Sequence, residues 1–511
     1  MSLLFFSAGY WMLRYGGWSI EGDAMRLTIA AEAVAHEGKL VPSQFYSNGY
    51  AYPALLVFLG QITNLPIQVY QFVGSFWLVV IGLVAYLAYR ELLSDVRLAA
   101  LSVFLLLLQP DFIFYILRNS HERITWTCGL LILWLWVRHA RVSQISTQLM
   151  GILAVYLILW AMIANNAYLA STIVTTYLIA LLLSATFERV MPRLFPSTTG
   201  WLVERRLLYI PLTGLVLVFV FVTYAYSPAR AYYLTLNSIV ERLATLFLAA
   251  DSSSSQPYNY VQSAWVSQEA YFLLTGTQWL IVLASGAAWL RDGARIISQG
   301  TNALSRTRWL LWFFYIGFAA QLAMGVIIDF TGFLASNLQV RLFTPFALIL
   351  TPLTATWFDE IKTFAKGRSI AVQTRPWRVA TITLGSLGVI LALLKSTNDP
   401  LVGNQWIFYS PREQVAFEWV DHHLVNSQVW VDTNPHQIDV MQYRKGHDWQ
   451  LANSYLFGAV GQEIKHVLLS ELTLLQANRS KIVLPSVVDR NRVYDNGDAQ
   501  LYHRPETPFQ R

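Results

Sequence analysis

A chain that enters a bilayer must satisfy its own backbone, so it crosses as a helix of about 20 apolar residues. Stretches of this kind recur throughout this sequence. We read about eleven of them: Leu3–Ser19, Val69–Tyr89, Leu98–Tyr115, Ile124–Val137, Leu149–Ala164, Leu169–Thr186, Leu208–Tyr226, Ala270–Leu290, Trp309–Ile328, Leu342–Phe358 and Val379–Leu394. Composition agrees. The chain is 55% hydrophobic and 13% charged, where a soluble domain is about 25% charged. Its 19 Trp and 26 Tyr suit many membrane–water interfaces. The net charge of +6 is spread through loops rather than gathered in a patch, which argues against a nucleic-acid partner. The single cysteine, Cys128, excludes an intramolecular disulfide and a cysteine-based metal site. The opening stretch lacks a basic n-region and an A-x-A site, so no cleavable signal peptide is expected.

Loop charge orients the spans. Loops on one side carry 17 Lys and Arg, among them Arg90, Arg138, Arg205, Arg291, Arg308 and Lys362; loops on the other carry seven, among them Arg26, Arg118, Arg123 and Arg341. The N-terminus is therefore expected in the cytoplasm of a plasma membrane. The loops holding Asp23, Glu122 and Arg341 are expected outside.

Two outer loops are long. The first runs from about Ile20 to Gln68. In it, "GDAMRLTIAAEAVAHEGKL" places Met25, Ile29, Ala33 and Val34 at helical spacing, the pattern of an interfacial helix. "YPALLVFLGQI" is too short to span and lies between Pro53 and Pro66, so it reads as interfacial or re-entrant. The second, Ser227–Glu269, contains the polar run "DSSSSQPYNY". After Lys395 the composition changes: residues 396–511 hold 23 charged residues and six of the nine histidines. This is expected to be a small extracytoplasmic α/β domain following a transmembrane domain over 1–395. "SPREQVAFEWVDHHL" reads as a helix with Val415, Trp419 and Val420 on one face, "SQVWVDT" and "KIVLPSV" as strands, and "RVYDNGDAQLYH" as a hairpin turning at Asn496-Gly497. The adjacent His422 and His423 point apart on a helix and make a poor metal site.

Charge at membrane depth is rare unless it faces a cavity or a partner. Glu21 and Asp23 stand just past the first span; Asp111, His121 and Glu122 flank the outer ends of the third and fourth; Asp329 ends the ninth and Arg341 opens the tenth. All are expected at one membrane face. Carboxylates there suit a base acting on a hydroxyl, and arginine suits an anionic leaving group.

The "EGD" acid pair after an apolar first span, the long first loop, "SNGYAYPALL", the acid in "RNSHERIT" and "LQVRLFTPFALIL" opening a late span together resemble the GT-C glycosyltransferases. That superfamily includes protein O-mannosyltransferases, aminoarabinose transferases and oligosaccharyltransferases. The resemblance implies a polytopic helical membrane enzyme with a trailing α/β domain. It also implies transfer of a sugar from a polyprenyl-phosphate-linked donor to a glycan, lipid or protein acceptor. On it, Asp23 is the general base and Glu21 its partner; Glu122 positions the acceptor, with Asp111 competing for that role; Arg341 binds donor phosphate, and Tyr50 and Tyr52 meet substrate. Any Mg²⁺ or Mn²⁺ would fall to Glu21, Asp23 and Glu122. Two departures narrow it. The C-terminal part has no WWD-type string, which argues against an oligosaccharyltransferase, and Tyr52-Pro53 stands where aminoarabinose transferases carry Lys-Pro-Pro. A surface-polysaccharide polymerase or ligase and a lipid or solute transporter are the competing readings. A transporter is expected to show paired broken helices in two halves, which this sequence lacks.

Overall fold

The structure is a computed structural model that describes residues 2–15, 22–40, 49–118, 120–139, 145–194, 268–300, 304–330, 338–367, 375–396, 411–424, 429–431, 466–470, 474 and 486–505. The expected span Leu208–Tyr226 and nearly all of the second long loop lie outside these residues. Helices dominate: α1 (Ser2–Tyr15), α2 (Gly22–Glu37), α3 (Ala51–Thr63), α4 (Ile67–Val73), α5 (Trp77–Leu93), α6 (Val96–Leu107), α7 (Pro110–Leu117) and α8 (Glu122–His139) come first. Then follow α9 (Ile145–Asn165), α10 (Ala167–Leu194), α11 (Gln268–Gln299), α12 (Arg306–Phe330), α13 (Leu338–Gly367), α14 (Arg375–Ser396) and α15 (Pro411–His423).

Among the described residues, the helical stretches Gly74–Leu93 and Thr307–Val326 are each long and apolar enough to cross a membrane alone. Shorter apolar stretches run through α9, α10 and α14. The sequence predicts one span over Leu98–Tyr115, but the chain breaks it into α6 and α7, bent by 79°. The cause is local. Gln109 precedes Pro110 and takes an extended backbone, φ −96° and ψ 104°, because proline disfavours the helical region for its predecessor. Pro110 then opens a new helix at its first position, where a missing N–H goes unmissed. The rest of α7, Phe112–Leu117, is buried throughout. At the preceding turn, Asp95 caps α6 by accepting from the Arg97 and Leu98 amides at 2.6 and 3.0 Å. Those bonds, Leu98's first, hold its carboxyl below the usual range.

Several polar groups inside the bundle are matched across helices. Pro352 lies within α13 and has no N–H for the Leu348 carbonyl four residues back. The Tyr89 hydroxyl of α5 supplies the missing donor at 2.9 Å. Trp289 of α11 and Trp312 of α12 stack at 5.0 Å, and each indole N–H donates to the other's backbone carbonyl, at 3.2 and 3.0 Å. At the arginine-rich ends of α11, α12 and α13, Asp292 is fully buried. It receives Arg308 at 2.7 Å and Arg291 at 3.0 Å, while Glu360 receives Arg295 at 3.2 Å and Arg308 at 3.4 Å and pairs with Arg291. The sequence presents these arginines as loop charges. The helices run past their apolar windows and make them an interhelical network.

Between α1 and α5, α2 and α3 are helices as expected, but the face of α2 differs. Leu27, Ala31 and Val34 pack with Tyr52, Leu56 and Val57 of α3 and Ile67 of α4, whereas Ile29 joins the main core. The packed side chains of α2 divide between two clusters, so no single apolar stripe marks its packing. Beyond Ser396, the order β1 (Val429–Val431), β2 (His466–Ser470), β3 (Asn491–Asp495), β4 (Ala499–His503) gives a sheet ordered β1-β2-β4-β3, with β1 and β2 parallel and the other pairs antiparallel. The expected hairpin is present, and Gly497 adopts φ +91° in its turn. α15 also forms, but it buries Ala416, Phe417 and Val420 and leaves Val415 exposed. Ser410 and residues 481–485 of the expected strand "KIVLPSV" lie outside the described residues, and Ser486 and Val487 are not strand.

Tyr89→Phe is expected to destabilise the bundle by about 1–3 kcal/mol, the cost of a stranded buried carbonyl. Thermal unfolding in detergent reads this. Against a Pro352→Ala background, where the backbone donor returns, the same substitution should have much less effect; an equal loss in both backgrounds contradicts the assignment.

Candidate active site

Apolar chain ends at Leu117, and the next turn is "RNSHER". Arg118 ends α7 in an extended conformation, φ −63° and ψ 127°. Its guanidinium reaches Glu122 Oε2 at 2.7 Å in the first turn of α8. Both side chains are at most 5% exposed. The Ser120 hydroxyl lies between them, 3.3 Å from Glu122 Oε2 and 3.4 Å from Arg118 Nε. Arg118 also sits over the rings of Phe114 and Tyr115, at 5.4 and 5.1 Å. A buried ion pair needs this support, because desolvating two charges offsets most of their attraction.

The next residues turn toward the α2–α4 cluster. His121 is buried and meets the Tyr52 ring edge-on at 6.4 Å. Arg123, also buried, donates to the Tyr52 hydroxyl at 2.7 Å. Ile124 packs against the α2–α4 cluster. The start of α8 therefore carries Glu122 on an ion pair and, beside it, the docking surface for α3.

The predicted site residues divide. Glu122, His121 and Tyr52 are brought together. Tyr52 is almost fully buried, with its hydroxyl engaged by Arg123; Tyr50 is half-buried at the start of α3. Asp111 stands apart, at the opposite end of α7 and so roughly 10 Å along it from Arg118. There it accepts a hydrogen bond from Gln278 of α11 at 2.9 Å and favours the helix N-terminus. Asp23 lies in the first turn of α2, Arg341 in the first turn of α13 and Asp329 in the last turn of α12. Their side chains, and the whole of Glu21, lie outside the described residues.

Among the described residues, no three His, Cys, Asp or Glu side chains gather as a metal site. Glu122 Oε2 faces the Arg118 guanidinium. Like charge disfavours a second cation at that oxygen. Sequence reasoning counted Arg118 and Arg123 only as loop charges. Two arginines flanking Ser-His-Glu immediately after an apolar run were the available signal.

No protein-family model matches the sequence, and no curated protein matches it significantly. Solved structures do. The chain superposes on ArnT from Cupriavidus metallidurans bound to undecaprenyl phosphate, with a TM-score of 0.51 and 12% identity, over 99% of this chain and 98% of that one. It superposes on the Archaeoglobus fulgidus oligosaccharyltransferase tethered to an acceptor peptide, with a TM-score of 0.51 and 13% identity, over 99% of this chain and 74% of that one. The chain shares its fold with these two proteins. The expected helical body and small trailing sheet are seen, and among the described residues two helices, or three if the bent α6–α7 pair counts as one span, are long and apolar enough to cross a membrane. At such low identity the likeness carries architecture and no residue role.

Arg118→Ala leaves Glu122 buried without its cation and is expected to cost about 3–5 kcal/mol. Replacing both, as Arg118→Met with Glu122→Leu, should recover most of that loss in chemical unfolding. A single variant as stable as the parent would show the pair to be solvated.

Proposed function

We propose that this protein is a membrane glycosyltransferase that moves a sugar from a polyprenyl-phosphate-linked donor to an acceptor at the outer membrane face. One observation carries the reading: the GT-C fold extends over 99% of the chain and matches, end to end, an enzyme bound to undecaprenyl phosphate. The placement of Glu122 beside a docked first outer loop is consistent with it. The N-terminus is cytoplasmic, and residues 396–511 form an outer domain after the membrane domain of 1–395. The membrane is the plasma membrane.

The proposed chemistry balances without a metal. An acceptor hydroxyl attacks the anomeric carbon as the anomeric C–O bond breaks, with oxocarbenium character in the transition state. The polyprenyl phosphate departs with the bonding pair. Asp23 takes the acceptor's proton, with Glu21 beside it. Arg341 meets the charge that grows on the leaving phosphate. Glu122, held by Arg118, orients the acceptor. Holding both substrates in one interfacial site removes much of the entropic barrier to their encounter.

Asp23→Asn is expected to lower sugar transfer by roughly 10²–10⁴-fold, the usual contribution of a general base, while the protein still folds. The assay is transfer by purified protein in vesicles containing an undecaprenyl-phosphate-linked sugar. Near-normal turnover removes Asp23 as the base. In the same assay, Arg341→Ala should impair donor use more than acceptor use; unchanged donor KM and kcat exclude the phosphate role.

A further inference from the structure

We propose that Arg123 is a positioning residue: it latches the first outer loop onto the start of α8 and thereby fixes Glu122. The activity part of this proposal rests on the glycosyltransferase reading above. Three elements meet at the Arg123 guanidinium. Its Nη2 donates to the Tyr52 hydroxyl of α3 at 2.7 Å, and its carbon stands 5.7 Å from the centre of that ring. It also lies against the backbone of the 3₁₀ turn Gly74–Phe76, between α4 and α5. A Cβ added at Gly74 would fall on Arg123 Nη1. Only glycine leaves this space.

The same turn of α8 is tied on its other side. The Thr127 hydroxyl donates to the Arg123 carbonyl at 2.7 Å and accepts from Trp77 Nε1 at 2.9 Å. Within the loop, the Tyr70 hydroxyl of α4 holds the Leu59 carbonyl of α3 at 2.9 Å. The α2–α4 cluster therefore docks as a unit, and the Arg123–Tyr52 bond ties it to α8. Glu122 precedes Arg123 in the first helical turn, so a shift of that turn moves its carboxylate. A displacement near 1 Å in such a group can lower a rate by about a hundredfold.

Gly74 offers a test away from the chemistry. The obstructing atoms are the far end of a flexible side chain, so Gly74→Ala is expected to fold with the guanidinium pushed off Tyr52. Wild type, Gly74→Ala, Arg123→Gln and the double variant are compared by deuterium exchange of α3 and by sugar transfer from an undecaprenyl-phosphate-linked donor in vesicles. Each single variant should raise exchange in α3, lower kcat about ten- to hundredfold and leave donor KM unchanged. The double should be no slower than the slower single, because both disrupt one latch. Full kcat in Gly74→Ala, or losses that multiply in the double, overturns the proposal. If the wild type transfers no sugar, the glycosyltransferase reading fails by itself. Exchange then decides the latch: raised exchange in α3 in both singles supports it, and unchanged exchange overturns it.

Discussion

Burying a polar group costs free energy unless a partner is buried with it, and several polar side chains inside this bundle are paired across helices. That constraint organises the fold. Pro352 strands a carbonyl, and Tyr89 of another helix serves it. Two tryptophans exchange hydrogen bonds across α11 and α12. Asp292 is buried because arginines from α11 and α12 reach it. Glu122 is buried because Arg118 does. Each match is long-range or bridges two elements, so satisfying the chemistry also fixes how helices sit against one another.

At the Glu122 end, the constraint and the candidate function coincide. A carboxylate held by an arginine and a serine is fixed in place, and the α2–α4 cluster docks beside it through Tyr52 and Ile124. An enzyme that orients a lipid-linked donor against an acceptor needs such fixed groups, since preorganisation lowers the barrier more than contact number does. The acid that the sequence offered as Glu122's competitor, Asp111, is spent on Gln278 at the far end of α7.

The helical class was legible because hydrophobic length is a one-dimensional signal. The break at Gln109-Pro110 was written there too, but a run of apolar residues on both sides hid it. The terminal hairpin was legible from Asn496-Gly497, whereas β2, "HVLLS", was missed; it is buried along its whole length and shows no alternation. Glu122 and His121 were found as isolated polar residues at an interface. Arg118 and Arg123 were not, because their roles come from pairing with Glu122 and with Tyr52, and a residue 71 positions away cannot be inferred from spacing. The face of α2 was misjudged for a related reason: its packed side chains divide between two clusters, Leu27, Ala31 and Val34 in one and Ile29 in the other.

The proposed function rests on the shared fold and on the buried Arg118–Glu122 pair. Its central claim is that the protein adds a sugar to something at the cell surface. Mass spectrometry of surface glycans and glycolipids, in cells with the gene intact and deleted, tests this most directly. The account predicts a species that loses one sugar mass on deletion and regains it with the wild-type chain but not with the Asp23→Asn variant. Identical profiles with and without the protein, in cells that express it, would contradict the claim.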